Sequence, residues 1–346
     1  DVLSWKYTQT VVMDRNFKAE HMHDCQPDDQ VCLMDGQGYM VGRERYQHYL
    51  KATNHPMEGS SFLFPRSKCN NHRAMNQANA NRHKLEATGI GGCACACHGC
   101  FIPHAMVDFQ KGERFVLLGL HPLLSSLTVQ AMLSFYDINC QYMKNLWKRL
   151  TGNAFINIPA ELPIVSSIGI WHVHSHQTEC HARYAPSFIP SAGRVDGKII
   201  EMLWSILNII SPSTWGMSFP HRQELLDYQM NDSNFQKMIR MGMPSCPLLI
   251  SSMVGAEDSL AVFRALDDGI PDDQRNGWLK QEMAVMRDRS IDPKAMDVFD
   301  VCMAKAPSVK TIEISLLARE PAAKGCRGSV TWIARGLLLE QTQIML

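Results

Sequence analysis

The chain has 346 residues, 45% of them hydrophobic, which is ample for a buried core and more than one average domain needs. Thirty-four basic and thirty-four acidic side chains cancel, which argues against a blanket electrostatic grip on nucleic acid while leaving room for a local basic groove. No run approaches the ~18 apolar residues of a membrane span, no secretory signal opens the chain, and a start at Asp1 reads as a fragment or a product lacking its natural beginning.

Residues 7–14, YTQTVVMD, predict a strand that ends in an acid, with NFKAEHM as its neighbour across a tight turn. VCLMDGQGYM predicts a third short strand with a Gly-containing turn. Residues 43–88 are polar, rich in Asn, His and Arg, and partly helical around HRAMNQANANRHKLEA. GIGGCACACHGCFIPH, residues 89–104, then packs four of the twelve cysteines and two of the fourteen histidines into sixteen positions, and FQKGERFVLLGL follows. VQAMLSFYD, 129–137, is a second strand ending in an acid, and CQYMKNLWKRLT an amphipathic helix with Leu146 and Leu150 on its apolar side. IVSSIGIWHVHSH, 164–176, predicts a strand through the alternation of Trp171, Val173 and Ser175. After a Pro/Gly-rich loop, VDGKIIEMLWSILNII has helical period, and beyond Ser213 the pattern stays helical through HRQELLDYQMNDSNFQKMIRM, EDSLAVFRAL and WLKQEMAVMRDRS. The order describes a mixed α/β core followed by a helical tail.

Asp14 and Asp137 each close an apolar strand, and Glu201 lies on the helix after a later strand. Three such acids can converge on one pocket, where their oxygens suit hard Mg²⁺ ions; two ions about 4 Å apart stabilise the attacking and leaving oxygens of phosphoryl transfer. Each acid read singly is more commonly a turn or helix cap. The cysteines at 93, 95, 97 and 100 are poor material for a disulfide knot: adjacent C-x-C pairs bridge badly, and without a signal peptide a reducing compartment is expected. Metal ligation, small buried thiols and a redox pair remain, the last without a thioredoxin-like context. A second cluster holds His172, His174, His176, Cys180 and His181; on a strand the first three share a face, fit to hold a metal, contact phosphates or simply face solvent. Trp171 and Trp204 read as core residues.

VVMDRNFKAEHM, the stretch from SKCNNHRAMNQ to MVDFQKGER, SFYDINCQYMKNLWKRL and the stretch from WHVHSHQTECHARYAPS to LNIISPST occur in an order that resembles the Kyakuja–Dileera–Zisupton (KDZ) transposases, from about residue 5 to about residue 316. The resemblance implies an RNase H-like mixed-sheet core with a zinc-binding insertion and a helical C-terminal region. It implies a DDE-type transposase that cleaves and joins DNA with Mg²⁺ or Mn²⁺, in the nucleus. Its partners would be transposon ends and target DNA, with no membrane and with a homo-oligomer among the expected assemblies. The expected divisions are 1–42 for the first core strands, 43–110 for the Cys/His-rich insertion, 111–212 for the rest of the catalytic core and 213–346 for the helical region.

Carried over residue by residue, Asp14 matches the acid of the family's D-G-N-F segment, with Arg15 where glycine is usual, and Asp137 that of Y-D-x-x-C, with Cys140 in place. The family's D-G-E-x-x-E-x-x-W reads here with Lys198 at the first glutamate and Glu201 at the second. Lys198 is therefore expected to weaken cleavage and Lys198→Glu to raise it. Cys69, His72, Cys95, His98 and Cys100 match a C-x-x-H and C-x-x-H-G-C pattern, which implies structural zinc on Cys69, Cys95 and Cys100 with His72 or His98. The competing expectation from a different class is a non-catalytic zinc-containing DNA-binding or scaffold protein derived from such an element. A third is a nuclease that does not transpose.

Overall fold

The computed structural model describes residues 7–24, 30–53, 69, 85–110, 130–146, 155, 162–190, 192–193, 195, 197–300, 311–312, 332–333 and 335–336. The chain divides into a unit of residues 1–300 and a unit of residues 301–346; in the latter, short helical turns at 311–312, 332–333 and 335–336 are described. His72, Leu150 and most of the expected helix around HRAMNQANANRHKLEA lie outside the described residues.

A five-stranded mixed sheet organises the larger unit. Its strands are β1 (Thr8–Asn16), β4 (Gly89–Cys95), β5 (Phe101–Phe109), β6 (Ala131–Phe135) and β7 (Ile164–Ser167), in the order β5-β4-β1-β6-β7. β1 pairs antiparallel with β4, and β4 with β5; β1 pairs parallel with β6, and β6 with β7. A small ladder joins β2 (His21–Met22) to β3 (Leu85–Ala87).

Side-chain alternation along β1 builds a core on each face of the sheet. Val11 and Met13 point to one, with Cys93, Phe109, Met132, Ile164 and the two tyrosines of α1 (Arg43–Thr53), Tyr46 and Tyr49. Val12 points to the other, with Ile90, Phe101, Met106, Leu133 and Phe135. That second face is covered by α5 (Ile199–Thr214) and α6 (Phe219–Arg240), after the short helices α2 (Asn139–Tyr142), α3 (Ile170–Val173) and α4 (Thr178–Tyr184). On α5 the buried Ile200, Leu203, Trp204 and Leu207 follow the i, i+3, i+4, i+7 spacing of one helical stripe. Each such burial stabilises by about 1.5–3 kcal/mol, and no side chain caps the helix start. Packing therefore sets where α5 lies. α7 (Gly242–Asp267) and α8 (Asp272–Asp288) follow, with every residue from 250 to 266 exposed.

The Arg222 guanidinium of α6 is fully buried and ties the layers together. It pairs with Asp108 of β5 at 2.9 Å, donates to the Ala19 and Glu20 carbonyls after β1 at 2.8 and 3.0 Å, and reaches the Thr214 hydroxyl at 2.6 Å. With nearly every donor used, the buried charge is hydrogen-bonded as its burial requires.

The structure departs from several expectations. NFKAEHM does not return against β1; its His21–Met22 pairs with β3. VCLMDGQGYM forms turns that reach the sheet through a Met40–Met106 bridge and through the His104 and Met106 amides of β5, which donate to the Gly38 and Tyr39 carbonyls at 3.0 Å each. CQYMKNLWKRLT opens as one α-helical turn and a 3-10 turn at Met143–Asn145, with Leu146 buried. The strand at 164–176 stops after Ser167, because the amides of His172 and Val173 turn back to the Gly169 carbonyl at 2.9 and 3.0 Å. The stretch assigned to an insertion supplies β4 and β5, two strands of the central sheet. Its small residues leave room for neighbours: a Cβ on Gly92 would lie 2.1 Å from the Met106 sulfur, and one on Gly89 2.4 Å from the Asn16 carbonyl oxygen. The boundary expected at 212/213 falls inside the last turn of α5, a helix that shares one core with α6, since Leu226 and Met230 of α6 pack with Leu203 and Leu207 of α5.

Candidate functional site: an acid cluster beside a thiol–imidazole cluster

Asp14 shares its face of β1 with Val12 and so points towards α5, where the Trp204 indole N–H donates to its Oδ2 at 2.8 Å. Asp137 follows β6, the parallel neighbour of β1, whose Phe135 pairs with Val12. Glu201 stands in the first turn of α5, where the positive end of the helix dipole favours a carboxylate. His172 of α3 lies between the last two acids: Nδ1 is 3.3 Å from Asp137 Oδ2 and Nε2 is 3.5 Å from Glu201 Oε1. Burial raises the Asp14 carboxyl to about 6, and the charges of Asp137 and Glu201 add to the rise against the Arg15 amide and the Trp204 indole. Asp14, Asp137 and Glu201 thus act on one another electrostatically, and His172 touches two of them.

Each departure from the family pattern sets its charge against an aromatic ring. Arg15 alternates to the other face of β1, where its guanidinium lies 5.3 Å from the centre of the Phe109 ring. The Lys198 ammonium sits 4.7 Å from the centre of the Trp171 ring. Trp171, expected in the core, is 64% exposed, whereas Trp204 is buried as expected.

Cys69, Cys140, His176 and Cys180 form a second cluster, their ligand atoms all within 4.8 Å of one another, and can hold a metal ion. Cys69 and Cys180 sulfurs are 3.6 Å apart, and Cys140 Sγ is 3.4 Å from His176 Nδ1. Tetrahedral zinc, with Zn–S near 2.3 Å and Zn–N near 2.0–2.1 Å, sets these separations at about 3.8 and 3.6 Å, so these two pairs already stand near ligand spacing. A hydrogen bond from the Cys140 thiol, with further ones from His176 and Cys69, holds the Cys180 thiol down at about 4. Cys140, the donor in that pair, is pushed up. The cluster is lodged in a small core with Ile168, Val173, Tyr184 and Ala185.

This grouping differs from the expected one. Cys69 joins Cys140 and the second cluster, while Cys95, His98 and Cys100 sit at the turn between β4 and β5. There Cys95 Sγ is 3.4 Å from His98 Nδ1, and hydrogen bonds from Cys97 first and then His98 hold the Cys95 thiol at about 5. Cys93 is a packed core thiol that burial pushes up to about 12. Of the expected histidines, His176 enters the metal cluster, His172 faces the acids, and His174 lies against His181 with ring centres 5.7 Å apart. Cys140 as a ligand and His172 as the contact between two acids escaped the sequence. The signal for Cys140 was its place three residues after Asp137, which makes one short segment serve both clusters.

The chain is thus a mixed α/β protein that carries an acid cluster and, next along the same two segments, a thiol–imidazole cluster able to bind metal. The family model of the Kyakuja-Dileera-Zisupton transposases matches residues 7–234, and the chain belongs to that family. It is a transposase-derived protein. Comparisons with curated proteins and with solved structures give no match. No helix among the described residues is long and apolar enough to cross a membrane.

Proposed function

We propose that the chain is the catalytic core of a DDE-type DNA transposase with an RNase H-like fold, acting in the nucleus on transposon ends and target DNA. The observation that carries this is the meeting of Asp14, Asp137 and Glu201 at one sheet end, with His172 against two of them and the Asp14 carboxyl raised by burial and, to a lesser degree, by the charges of the other two. The strand order, three antiparallel strands continued by two parallel ones with the first strand in the middle, supports the fold.

The acids suit divalent ions. They offer oxygen donors only, they repel one another, and Asp137 and Glu201 are 38% and 51% exposed, so an ion can enter. Bound Mg²⁺ or Mn²⁺ supplies charge neutralisation and Lewis-acid activation for in-line attack on a phosphodiester. The chain's own residues prepare that site. Trp204 fixes one Asp14 oxygen and turns the carboxyl. The start of α5 stabilises the Glu201 charge. His172 holds Asp137 and Glu201 at either side of its ring. The Cys69, Cys140, His176 and Cys180 cluster is proposed as a closed structural zinc site that braces the segments carrying Asp137 and His172.

Nicking of supercoiled plasmid with Mg²⁺ or Mn²⁺ tests the reading. Asp14→Asn, Asp137→Asn and Glu201→Gln should each lower the rate about a hundredfold or more, because each removes an ion-binding oxygen worth several kcal/mol at the transition state. A parent that does not nick, or variants that nick as fast as the parent, would sink it in favour of the non-catalytic DNA-binding reading. Joining of the cut end to a second duplex separates a transposase from a nuclease.

A further inference from the structure

Two cross-contacts run side by side between α3 and the start of α5: His172 with Glu201, and Trp171 with Lys198. Gly197 makes both possible. It sits at φ 85°, and a Cβ there would lie 2.9 Å from the Gly169 Cα. The absence of a side chain lets the two segments touch, and the Ile170 amide donates to the Val195 carbonyl at 3.3 Å. The result is a large indole, 64% exposed, held at the rim of the acid cluster with an exposed ammonium against it. The first contact belongs to the acids. The second has no place in holding ions.

We propose that Trp171 and Lys198 form a nucleotide platform for a single DNA strand entering the acid cluster, the indole stacking on a base and the ammonium pairing with an adjacent phosphate. The inference rests on the DNA-processing role proposed above and adds the residues that hold the strand. A phosphodiester can reach Asp14, Asp137 and Glu201 only if its flanking nucleotides cross the rim, and three carboxylates repel it on the way. A nucleotide presents a flat π face and one negative charge; an exposed indole and an ammonium are their complements. A single strand offers that face freely, whereas in a duplex each face is covered by its neighbours. Without DNA the ammonium rests on the ring as a cation–π pair; on binding, the base takes the ring and the ammonium moves to phosphate. Lys198, whose charge looks damaging beside the acids, is then a strand-binding residue.

The test is binding without cleavage. The full chain is titrated against a fluorescein-labelled single strand of mixed sequence, in buffer without added Mg²⁺ or Mn²⁺, and read by anisotropy. Trp171→Ala should weaken binding about tenfold or more and Trp171→Phe far less, since one base stack carries the difference. Lys198→Gln should reduce the slope of log affinity against log salt by about 0.7, one phosphate contact on a single strand. The parent should bind an abasic strand of equal length about tenfold more weakly than the mixed strand, a comparison that needs no variant. Equal binding of the two strands by the parent, undiminished binding by a folded Trp171→Ala protein, or no binding of single strands at all would each overturn the proposal. If these effects hold while plasmid nicking is absent, the catalytic reading falls and the platform stands.

Discussion

Asp227 of α6 accepts the backbone amides of Tyr39 and Met40, each at 2.8 Å, and so fastens the turn before α1 to the second core. Burial raises its carboxyl to about 6 despite those two amides, which pull the other way. The folded form therefore keeps its proton up to about pH 6, while an unfolded Asp releases it near 4. The stability tied to that proton is fully present below about pH 4 and is lost as pH rises to 6; by linkage the loss is at most about 3 kcal/mol. Asp227→Asn keeps an acceptor for both amides and removes the charge. Urea unfolding should find it more stable than the parent at pH 8 by about 1–2 kcal/mol, with a flatter profile between pH 4 and 6. A less stable variant at pH 8 would mean that the charge is in use, with His104 the nearest candidate. At this scale Asp14 and Asp137 were legible as acids closing apolar runs of strand period. The sequence could not show that His172 stands between Asp137 and Glu201, since that depends on a four-residue helix with no periodic signature.

Short elements do most of the positioning. α2 brings Cys140, α4 brings Cys180, and the turn between α3 and α4 brings His176. If these ligands hold zinc, purified protein should contain one zinc per cluster, and chelation should lower the melting temperature, because a closed site contributes folding free energy directly. Cys180→Ser should do the same and also slow plasmid nicking at saturating Mg²⁺, since Asp137 and His172 share segments with Cys140 and His176. Metal analysis and a melting curve decide the first point, nicking rates the second. Gly197→Ala should destabilise by about 1–3 kcal/mol, as a side chain at φ 85° is strained and here meets Gly169; equal melting of parent and variant would show that the loop gives way. Long elements were legible in advance: α5, α6 and the edges of β1 and β6 follow their periods closely. β4 was not, because GIGGCAC has the glycine and cysteine content of a ligand loop. Its strand character comes from β1 on one side and β5 on the other.

Across the molecule, stability should be uneven. The sheet with α5 and α6 holds both cores, whereas α7 is exposed from 250 to 266 and α8 buries no residue. Hydrogen exchange should find β1, β4 and α5 among the slowest amides and α7 and α8 among the fastest of the helical ones; strong protection across α7 would reveal a partner surface on it. The sequence located the helices beyond Ser213 but not which of them join the core. α6 and α7 both mix apolar and polar residues, and the neighbours of Leu226 and Met230 mark α6 as a covering helix.

The central position of β1 has a consequence for the order of synthesis. Its antiparallel neighbour β4 is complete by residue 95 and β5 beyond it by 109, its parallel partner begins only at 131, and the glutamate opposite Asp14 comes at 201. A ribosome adding 5–20 residues per second spends roughly 10–40 s between Asp14 and Glu201. For that interval the emerging protein has a sheet and one carboxylate, then a sheet and two, but no complete set of acids. On the reading proposed above, ribosome-bound and prematurely terminated chains that end before residue 201 would leave DNA strands uncut, and cutting would await chains long enough to have left the half-built state behind.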